Sequence, residues 1–319
     1  MSADLFQPTP AAWGARPSDP NDTFLAQTVA TAASEAPRPG QVGLFGVPFD
    51  GAVPGRPGAR GGPAAIRAAM ATLRPWTLRH GGFTPDVYDW GDVRCALGDI
   101  ATTHQRVEGA ALAVLDAGHM PLVLGGDHSI TFPLVKAHEG RHGGGTLGVI
   151  NLDAHLDMRD GASQGILNSG QSFRRLIDLG LVKGENLVEV GIRDFANSAQ
   201  YARAAKADGV TIFGAEDWRA HGLATIEHAI EIASAGTDGV YLSVDIDVLD
   251  QAHAPGVSAP TPGGIDTARL FTAVRVIAQR TRLVGADIVE TAPQLDVGGM
   301  TSRAAAYAAL NVLAGLARQ

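Results

Sequence analysis

The sequence is almost free of cysteine and short of positive charge. Cys95 is the single cysteine among 319 residues, which excludes an internal disulfide framework and a thiolate metal site. Any metal must therefore be bound by His, Asp or Glu. The 25 Lys and Arg residues stand against 33 Asp and Glu residues, which gives a formal net charge of −8. Because nucleic-acid backbones are bound by clustered Lys and Arg, we expect no nucleic-acid partner.

Long apolar runs are also missing. No segment approaches the roughly 18 uninterrupted apolar residues that cross a membrane. Residues 1–10 carry neither the basic start nor the apolar stretch of a signal peptide. We therefore expect a cytoplasmic protein with no membrane partner. The content of 45% hydrophobic and 18% charged residues is typical of a globular chain.

Two regions of different composition divide the chain. Residues 1–39 are rich in Ala, Pro, Ser and Thr and are predicted to form an N-terminal arm or lead-in. Residues 40–319 are predicted to form a single α/β domain, because short apolar runs alternate there with Ala-rich stretches of helical spacing. This alternation predicts a mostly parallel sheet covered by helices. The predicted strands are 42–47, 86–88, 120–124, 147–152, 187–190, 210–213, 239–244 and 283–289. The predicted helices are 64–73, 106–117, 197–206, 224–234 and 266–279.

Acidic and imidazole side chains follow four of the predicted strands, at the point where each strand ends. In open parallel sheets, the loops at the carboxyl ends of the strands converge and bind ligands. We therefore expect these side chains to meet at one edge of the sheet. They are His128 in Gly125-Gly126-Asp127-His128, the alternate residues of Asp153-Ala154-His155-Leu156-Asp157, both acids of Asp245-Ile246-Asp247, and Glu290.

This set has the composition of a metal centre. Alternate residues at a strand end project the same way, so the Asp-x-His-x-Asp and Asp-x-Asp segments can each converge on one point. Two His and four Asp with no Cys favour Mn²⁺, and leave Zn²⁺, Fe²⁺, Co²⁺ and Ni²⁺ open. Six ligands suit two ions that share carboxylates and hold a hydroxide between them. A lone buried His is usually structural, but burying four carboxylates without cations would be too costly.

The motifs resemble those of the ureohydrolase family, which includes arginase, agmatinase and formimidoylglutamase. The resemblance implies a three-layer α/β sandwich with an eight-stranded, mostly parallel sheet. It also implies two Mn²⁺ ions per subunit and a homo-oligomer, commonly a trimer or hexamer. Beside the segments above, the matching motifs are Gly46-Val47-Pro48-Phe49-Asp50, Gly55-Arg56-Pro57-Gly58-Ala59, Ser243-Val244-Asp245-Ile246-Asp247 and Pro255-Gly256-Val257 with Pro260-Thr261-Pro262-Gly263-Gly264.

The resemblance also implies roles for the individual residues. One metal would take His128, Asp153, Asp157 and Asp245; the other would take Asp153, His155, Asp245 and Asp247. Glu290 corresponds to the acid that orients the planar nitrogen group of the substrate. The predicted reaction is attack of a metal-bridging hydroxide on an amidine carbon. Asp157 would pass a proton to the leaving amine.

One loop separates this chain from the guanidine branch of the family. Ser169, followed by Gly170, occupies the position where arginase-like and agmatinase-like members usually carry a His, and Arg159 follows the Asp-x-His-x-Asp segment. Formimidoylglutamases resemble this arrangement. Their substrate, N-formimidoyl-L-glutamate, carries two carboxylates, which a guanidinium binds through a two-pronged contact. The candidate substrate-binding residues are Arg159, Ser169, Gly170, Arg193, Asn197 and Glu290.

We therefore expect hydrolysis of N-formimidoyl-L-glutamate to L-glutamate and formamide, a step of histidine degradation. A guanidino-substrate hydrolase of the same fold, which releases urea, is the alternative. A non-catalytic metal-binding partner subunit is a further alternative from a different class of protein, against which the complete set of ligands argues.

Overall fold

The structure is a computed structural model that describes residues 4–9, 13, 19, 21–78, 81–142, 147–161 and 167–317. Parts of the predicted N-terminal arm, namely residues 1–3, 10–12, 14–18 and 20, lie outside the described residues. No helix within the described ranges is long and apolar enough to cross a membrane.

Strands and helices alternate along most of the chain. The strands are β1 (Phe6–Gln7), β2 (Ala30–Thr31), β3 (Val42–Gly46), β4 (Trp76–Thr77), β5 (Gly81–Gly82), β6 (Val87–Val93), β7 (Met120–Leu124), β8 (Leu147–Leu152), β9 (Val182–Ile192), β10 (Thr211–Gly214), β11 (Gly239–Asp245) and β12 (Leu283–Val289). The α-helices are α1 (Gly62–Met70), α2 (Ile100–Asp116), α3 (Thr131–His142), α4 (Ser172–Asp178), α5 (Ala199–Ala207), α6 (Ala215–His221), α7 (Leu223–Ser234), α8 (Thr267–Arg280) and α9 (Met300–Leu316).

The predicted parallel sheet is confirmed. Its strands lie in the order β1-β6-β3-β7-β12-β11-β8-β9-β10, and β2 pairs with β6. The eight strands from β6 to β10 in this order are mutually parallel, and each overlaps a predicted strand, although β6 and β9 are longer than predicted. Four short strands were not predicted: β1, which is antiparallel to β6, β2, which also pairs with β6, and β4 and β5, which pair with each other in a separate sheet. Strands of two residues are too short to show a hydrophobic period.

Strand β6 is longer than its apolar run because a buried cation neutralises its acids. Asp89 and Asp92 interrupt the hydrophobic pattern of this strand. Arg67 of α1, which is fully buried, lies 2.9 Å from the Asp89 carboxylate and 2.6 Å from that of Asp92. A buried carboxylate is tolerated when it is paired and hydrogen-bonded, so the strand continues through both residues.

Helices cover both faces of the sheet, which gives three layers. On β7, Leu122 and Leu124 belong to one apolar core, and Val123, which points the other way, belongs to the second. The first core is closed by α1, α6, α7, α8 and α9, and the second by α2, α3, α4 and α5. Helix α9 was not predicted, because most of its residues are buried and it shows little of the one-sided pattern by which helices are identified.

The strand order determines where the functional side chains lie. Strands β7, β12, β11 and β8 are neighbours at the middle of the sheet. Because they are parallel, their carboxyl ends meet at one edge. His128 follows β7, Glu290 follows β12, Asp245 ends β11 and Asp153 follows β8.

Candidate metal centre and active site

The structure brings the side chain of His128 together with three carboxylates. Nδ1 of His128 lies 3.1 Å from Asp153 Oδ2, 3.1 Å from Asp157 Oδ2 and 3.3 Å from Asp245 Oδ2. This nitrogen is buried and has no hydrogen-bond partner among the described residues. A buried imidazole nitrogen without a hydrogen bond, surrounded by carboxylate oxygens, has the arrangement of a metal ligand.

The other ring nitrogen of His128 defines which tautomer is present. The hydroxyl of Ser243 donates a hydrogen bond of 2.7 Å to Asp287 Oδ1. The Ser243 oxygen therefore accepts from Nε2 of His128, at 2.9 Å. With the proton on Nε2, Nδ1 keeps its lone pair and points it at the three carboxylates. Metal-binding His residues are usually oriented in this way by the hydrogen bond of the second nitrogen.

A second group of candidate ligands adjoins the first and shares Asp153 with it. Nδ1 of His155 lies 2.9 Å from Asp247 Oδ2 and 3.6 Å from Asp153 Oδ1. Backbone N–H groups hold the carboxylates in place: that of Ala154 donates to Asp247 Oδ1 at 3.1 Å, and that of Asp247 donates to Asp245 Oδ1 at 2.8 Å. Ligand atoms of Asp153, His155 and Asp247 all lie within 4.8 Å of one another.

The charges at this edge require cations. Burial, followed by the charges of Asp247 and Asp153, raises the pKa of Asp245 well above its usual value. Burial would lower the pKa of His128, but the surrounding carboxylates, with Asp153 first among them, raise it well above its usual value. So many buried carboxylates cannot all be ionised without positive charge beside them. Imidazole nitrogens and carboxylate oxygens are suitable ligands for Mn²⁺, so these residues fit a divalent metal centre.

Two of the site residues adopt a backbone conformation that is rare outside glycine. Asp157 has a φ of 45° and Glu290 a φ of 65°. Conformations of this kind cost about 1–3 kcal/mol each and occur mainly at functional sites. Glu290 is held there by two hydrogen bonds: its N–H donates to Gly126 O at 2.8 Å, and its Oε1 accepts from His128 N at 2.9 Å.

The two carboxyl oxygens of Glu290 differ, because Oε1 accepts the hydrogen bond from His128 N and Oε2 does not. Oε2 is buried and has no hydrogen-bond partner among the described residues. Burial, and then the charge of Asp127, raises the pKa of Glu290 to about 8. The nearby hydroxyl of Ser258 opposes this shift. Ser258 lines a cavity beside the acidic cluster and was not identified from the sequence, because a single serine in a loop has no pattern that marks it.

A cavity of about 150 Å³ lies beside the acidic cluster. His155, Asp157, Asp245, Asp247 and Glu290 line one part of it. The remaining lining includes Arg159, Ser169, Gly170, Asn197 and Tyr201. Arg159 is exposed and makes no ion pair with any described residue. Its backbone N–H donates to Gly170 O at 2.8 Å, and a Cβ on Gly170 would lie only 2.7 Å from Cδ of Arg159.

Arg193 and Asn197 differ from Arg159 in that the terminal nitrogens of Arg193 and the side-chain amide of Asn197 already have partners. Arg193 is buried, and its terminal nitrogens donate to the carbonyls of Gly191 and Val248. The guanidinium of Arg193 therefore links the end of β9, which contains Gly191, to the turn after β11, which contains Val248. The side chain of Asn197 accepts from Leu156 N at 2.9 Å and donates to Ala154 O at 2.9 Å. Asn197 therefore stabilises the Asp-x-His-x-Asp segment.

Comparison with known proteins shows which proteins this chain resembles. A model of the arginase family matches residues 40–315. The formimidoylglutamase of Halalkalibacterium halodurans is 39% identical over 278 residues, which are 86% of this chain and 86% of that protein. The crystal structure of formimidoylglutamase from Bacillus subtilis has a TM-score of 0.89 and 36% identity, and covers 95% of both chains. The structure of Trypanosoma cruzi formiminoglutamase with Mn²⁺ has a TM-score of 0.78 and 27% identity, over 87% of this chain and 93% of that one.

In the comparison of sequences, relatives with different substrates in their names differ in identity. Three sequences called formimidoylglutamase are 38–42% identical to this chain over 277–278 residues. Those named for agmatine or for guanidino compounds are 31–35% identical. The chain is thus more similar to the first group than to the second.

Proposed function

The chain belongs to the arginase family, and from this premise we propose that it hydrolyses the amidine C–N bond of N-formimidoyl-L-glutamate. Water is consumed, and L-glutamate and formamide are released. The observation that carries the proposal is the guanidinium of Arg159, which lines the same cavity as the acidic cluster and makes no ion pair with a described residue. Identity to formimidoylglutamases over most of the chain supports the same substrate.

Six residues at the cluster are proposed to bind two Mn²⁺ ions. His128, Asp153, Asp157 and Asp245 would hold one ion, and Asp153, His155, Asp245 and Asp247 the other. The distances between Nδ1 of His128 and its three carboxylate neighbours support the first set. Divalent metal bound here supplies Lewis acidity, which lowers the pKa of water so that a nucleophile is available near neutral pH.

Glu290 is proposed to bind the cationic amidine group. Its Oε2 is buried without a partner among the described residues, so an N–H of the amidine would satisfy it. The pKa of Glu290 is about 8 because burial disfavours its charge. A cation beside it favours the ionised form, so substrate binding and ionisation of Glu290 should support each other. Its left-handed backbone, fixed by Gly126 and His128, keeps the carboxyl in one orientation.

Asp157 is proposed to transfer the proton that the leaving amine requires. It lines the cavity, and its side chain retains a little exposure. Ser169, at the position of the usual His, lines the cavity as well but has a hydroxyl whose pKa is far too high for this task. Asp157 is assigned this role because it has a carboxyl group that can carry a proton, lines the cavity and belongs to the acidic cluster.

Arg159 is proposed to bind a carboxylate of the substrate, with Ser169 and Gly170 beside it. The planar guanidinium matches the two oxygens of a carboxylate. Arg193 and Asn197 are left out of this set, since the terminal nitrogens of Arg193 donate to carbonyls and the side-chain amide of Asn197 is engaged with backbone groups. A homo-oligomer and a cytoplasmic location stay predictions.

The proposal is tested with Mn²⁺-loaded protein and a panel of formimidoylglutamate, arginine, agmatine and guanidinobutyrate. We expect formamide and glutamate from the first compound, and little or no urea from the others. Urea from a guanidino compound, together with no activity on formimidoylglutamate, would replace the proposal by its guanidino alternative. Fully metallated protein without any hydrolase activity would indicate a non-catalytic subunit.

A further inference from the structure

Four buried polar residues form a row across the middle of the sheet. Asp287 of β12 pairs with Ser243 of β11, Ser243 pairs with Asn151 of β8, and Asn151 pairs with Glu189 of β9. We call these four residues the polar row. All four side chains are fully buried. On the next strand at each end of the row, the residue paired with it is apolar: Val123 of β7 beside Asp287 and Ile212 of β10 beside Glu189. Four polar residues on four adjacent strands are unusual inside a core, where each must find partners.

The polar row lies directly beneath the proposed metal ligands. Asp245 follows Ser243 by two residues, and Asp153 follows Asn151 by two. Because side chains alternate along a strand, residues two apart point to the same face of the sheet. The half formed by Ser243 and Asp287 orients His128, as described above.

The other half of the row contacts Asp153. Nδ2 of Asn151 donates to Asp153 Oδ2 at 3.2 Å and to Glu189 Oε2 at 2.8 Å. A single amide thus bridges Glu189 to the carboxylate that both ligand groups share. The shorter of the two bonds is the one to Glu189, so Glu189 helps to orient the amide of Asn151.

Folding alone does not account for a carboxyl at position 189. The side chain is fully buried and forms no ion pair within the described part of the chain, while its neighbours Val188 and Val190 are apolar residues of the core on the other face. Burial, and then the charge of Asp153, raises the pKa of Glu189 well above its usual value. An apolar residue would be cheaper to bury there.

We infer that Glu189 is a positioning residue, which acts through Asn151 to orient the carboxylate of Asp153 and thereby raises the affinity for metal. The inference rests on the metal centre of the proposed function. Partners that orient a ligand from behind typically change metal affinity by about 10–100-fold when they are removed.

The test uses E189Q and E189L in the full chain. Glutamine keeps an acceptor for the Asn151 amide, and leucine has a similar volume without one. Apo protein is titrated with Mn²⁺ while free Mn²⁺ is followed by its EPR signal. We expect E189Q to bind within about 3-fold of the wild type, and E189L to bind about 10–100-fold more weakly. The spectrum of bound Mn²⁺ should change in E189L and be restored in E189Q.

V188A is the matched control, because it perturbs the same strand from the opposite face. Its unfolding midpoint in denaturant, measured with EDTA present, should fall, while its Mn²⁺ affinity stays at the wild-type value. If E189L does not fold, E189A, which also removes the acceptor, carries the same expectation. Wild-type affinity in E189L or E189A would overturn the inference, and so would equal weakening in E189Q and E189L or in V188A.

The outcome for the inference differs from that for the proposed function. A wild-type protein that binds Mn²⁺ tightly but does not hydrolyse formimidoylglutamate would contradict the proposed substrate and leave the role of Glu189 intact. A wild-type protein that binds no Mn²⁺ would overturn both.

Discussion

Replacing Arg159 by Met should weaken catalysis on a substrate that carries carboxylates. An exposed ion pair contributes about 0.2–1 kcal/mol, and a hydrogen bond to a charged group contributes about 1.5–3 kcal/mol. Arg159 is exposed on one side and packs against Gly170 on the other, so we expect an intermediate loss of about 2 kcal/mol. This corresponds to about a 30-fold decrease in kcat/KM. Most of it should be in KM, because a carboxylate remote from the reacting carbon is bound alike before and during reaction.

The assay compares two substrates and two variants. Formamide release is measured with formimidoylglutamate and with formamidine, which has no carboxylate, after the Mn²⁺ content of each protein has been determined. R159M should show the decrease of about 30-fold in kcat/KM with formimidoylglutamate and no decrease with formamidine. R203M is the matched control, since Arg203 is also exposed, lies on α5 and is not among the cavity-lining residues. It removes the same charge and should behave as the wild type.

Three results would refute the reasoning about Arg159. One is an unchanged KM for formimidoylglutamate in R159M. Another is an equal loss on formamidine, which would mean that the cluster itself had been disturbed. The third is an equal loss in R203M, which would reduce the effect to a general attraction of the anionic substrate by surface charge.

The remaining predictions concern the proton, the metal and the pH dependence of stability. D157N should lower kcat by about 100-fold or more, which is the usual contribution of general acid catalysis, while its circular dichroism spectrum stays that of the wild type. A fully active variant would contradict the assignment. EDTA should lower the melting temperature in calorimetry, because the carboxylates lose their counter-charge, and added Mn²⁺ should restore it. H104Q should make the protein less sensitive to acid. Burial, and then Arg175, lowers the pKa of His104 to about 4, against about 6.5 when unfolded. Below pH 6.5 the unfolded state therefore binds more protons, and stability falls by up to about 3 kcal/mol towards pH 4. Denaturant unfolding at pH 7 and pH 4.5 should show a smaller difference in H104Q than in the wild type.

The clustering of the six acidic and imidazole residues could be predicted from the sequence because each follows an apolar run. Parallel strands place their carboxyl ends at one edge whatever their order, so Asp153 and Asp245 did not need a known topology to be brought together. The eight parallel strands were recognisable for the same reason, since strands buried on both faces have nearly continuous apolar runs. Both predictions depend on local pattern alone.

The distinction between Arg159 and Arg193 could not be predicted in this way. Both follow a strand and both stand near polar loop residues. The difference arises from carbonyls that are distant in sequence, such as Val248 O, which binds the guanidinium of Arg193. Gly264 leaves room for that guanidinium, since a Cβ there would lie 2.2 Å from Nη2 of Arg193. Contacts of this kind depend on tertiary packing, and a motif does not contain them.

The polar row shows a further kind of information that only the paired strands contain. In the sequence, Glu189 and Asp287 look like single interruptions of apolar strands, and Asn151 and Ser243 like tolerated polar residues. Their meaning comes from the register, which aligns all four, while Asn151 and Ser243 each stand two residues before a proposed metal ligand, Asp153 and Asp245. A slip of one residue between β8 and β9 would turn Glu189 to the apolar face and leave the Asn151 amide without its acceptor. The hydrogen bonds of the polar row therefore stabilise the register of β8 and β9, and this register in turn determines the geometry of the proposed metal ligands.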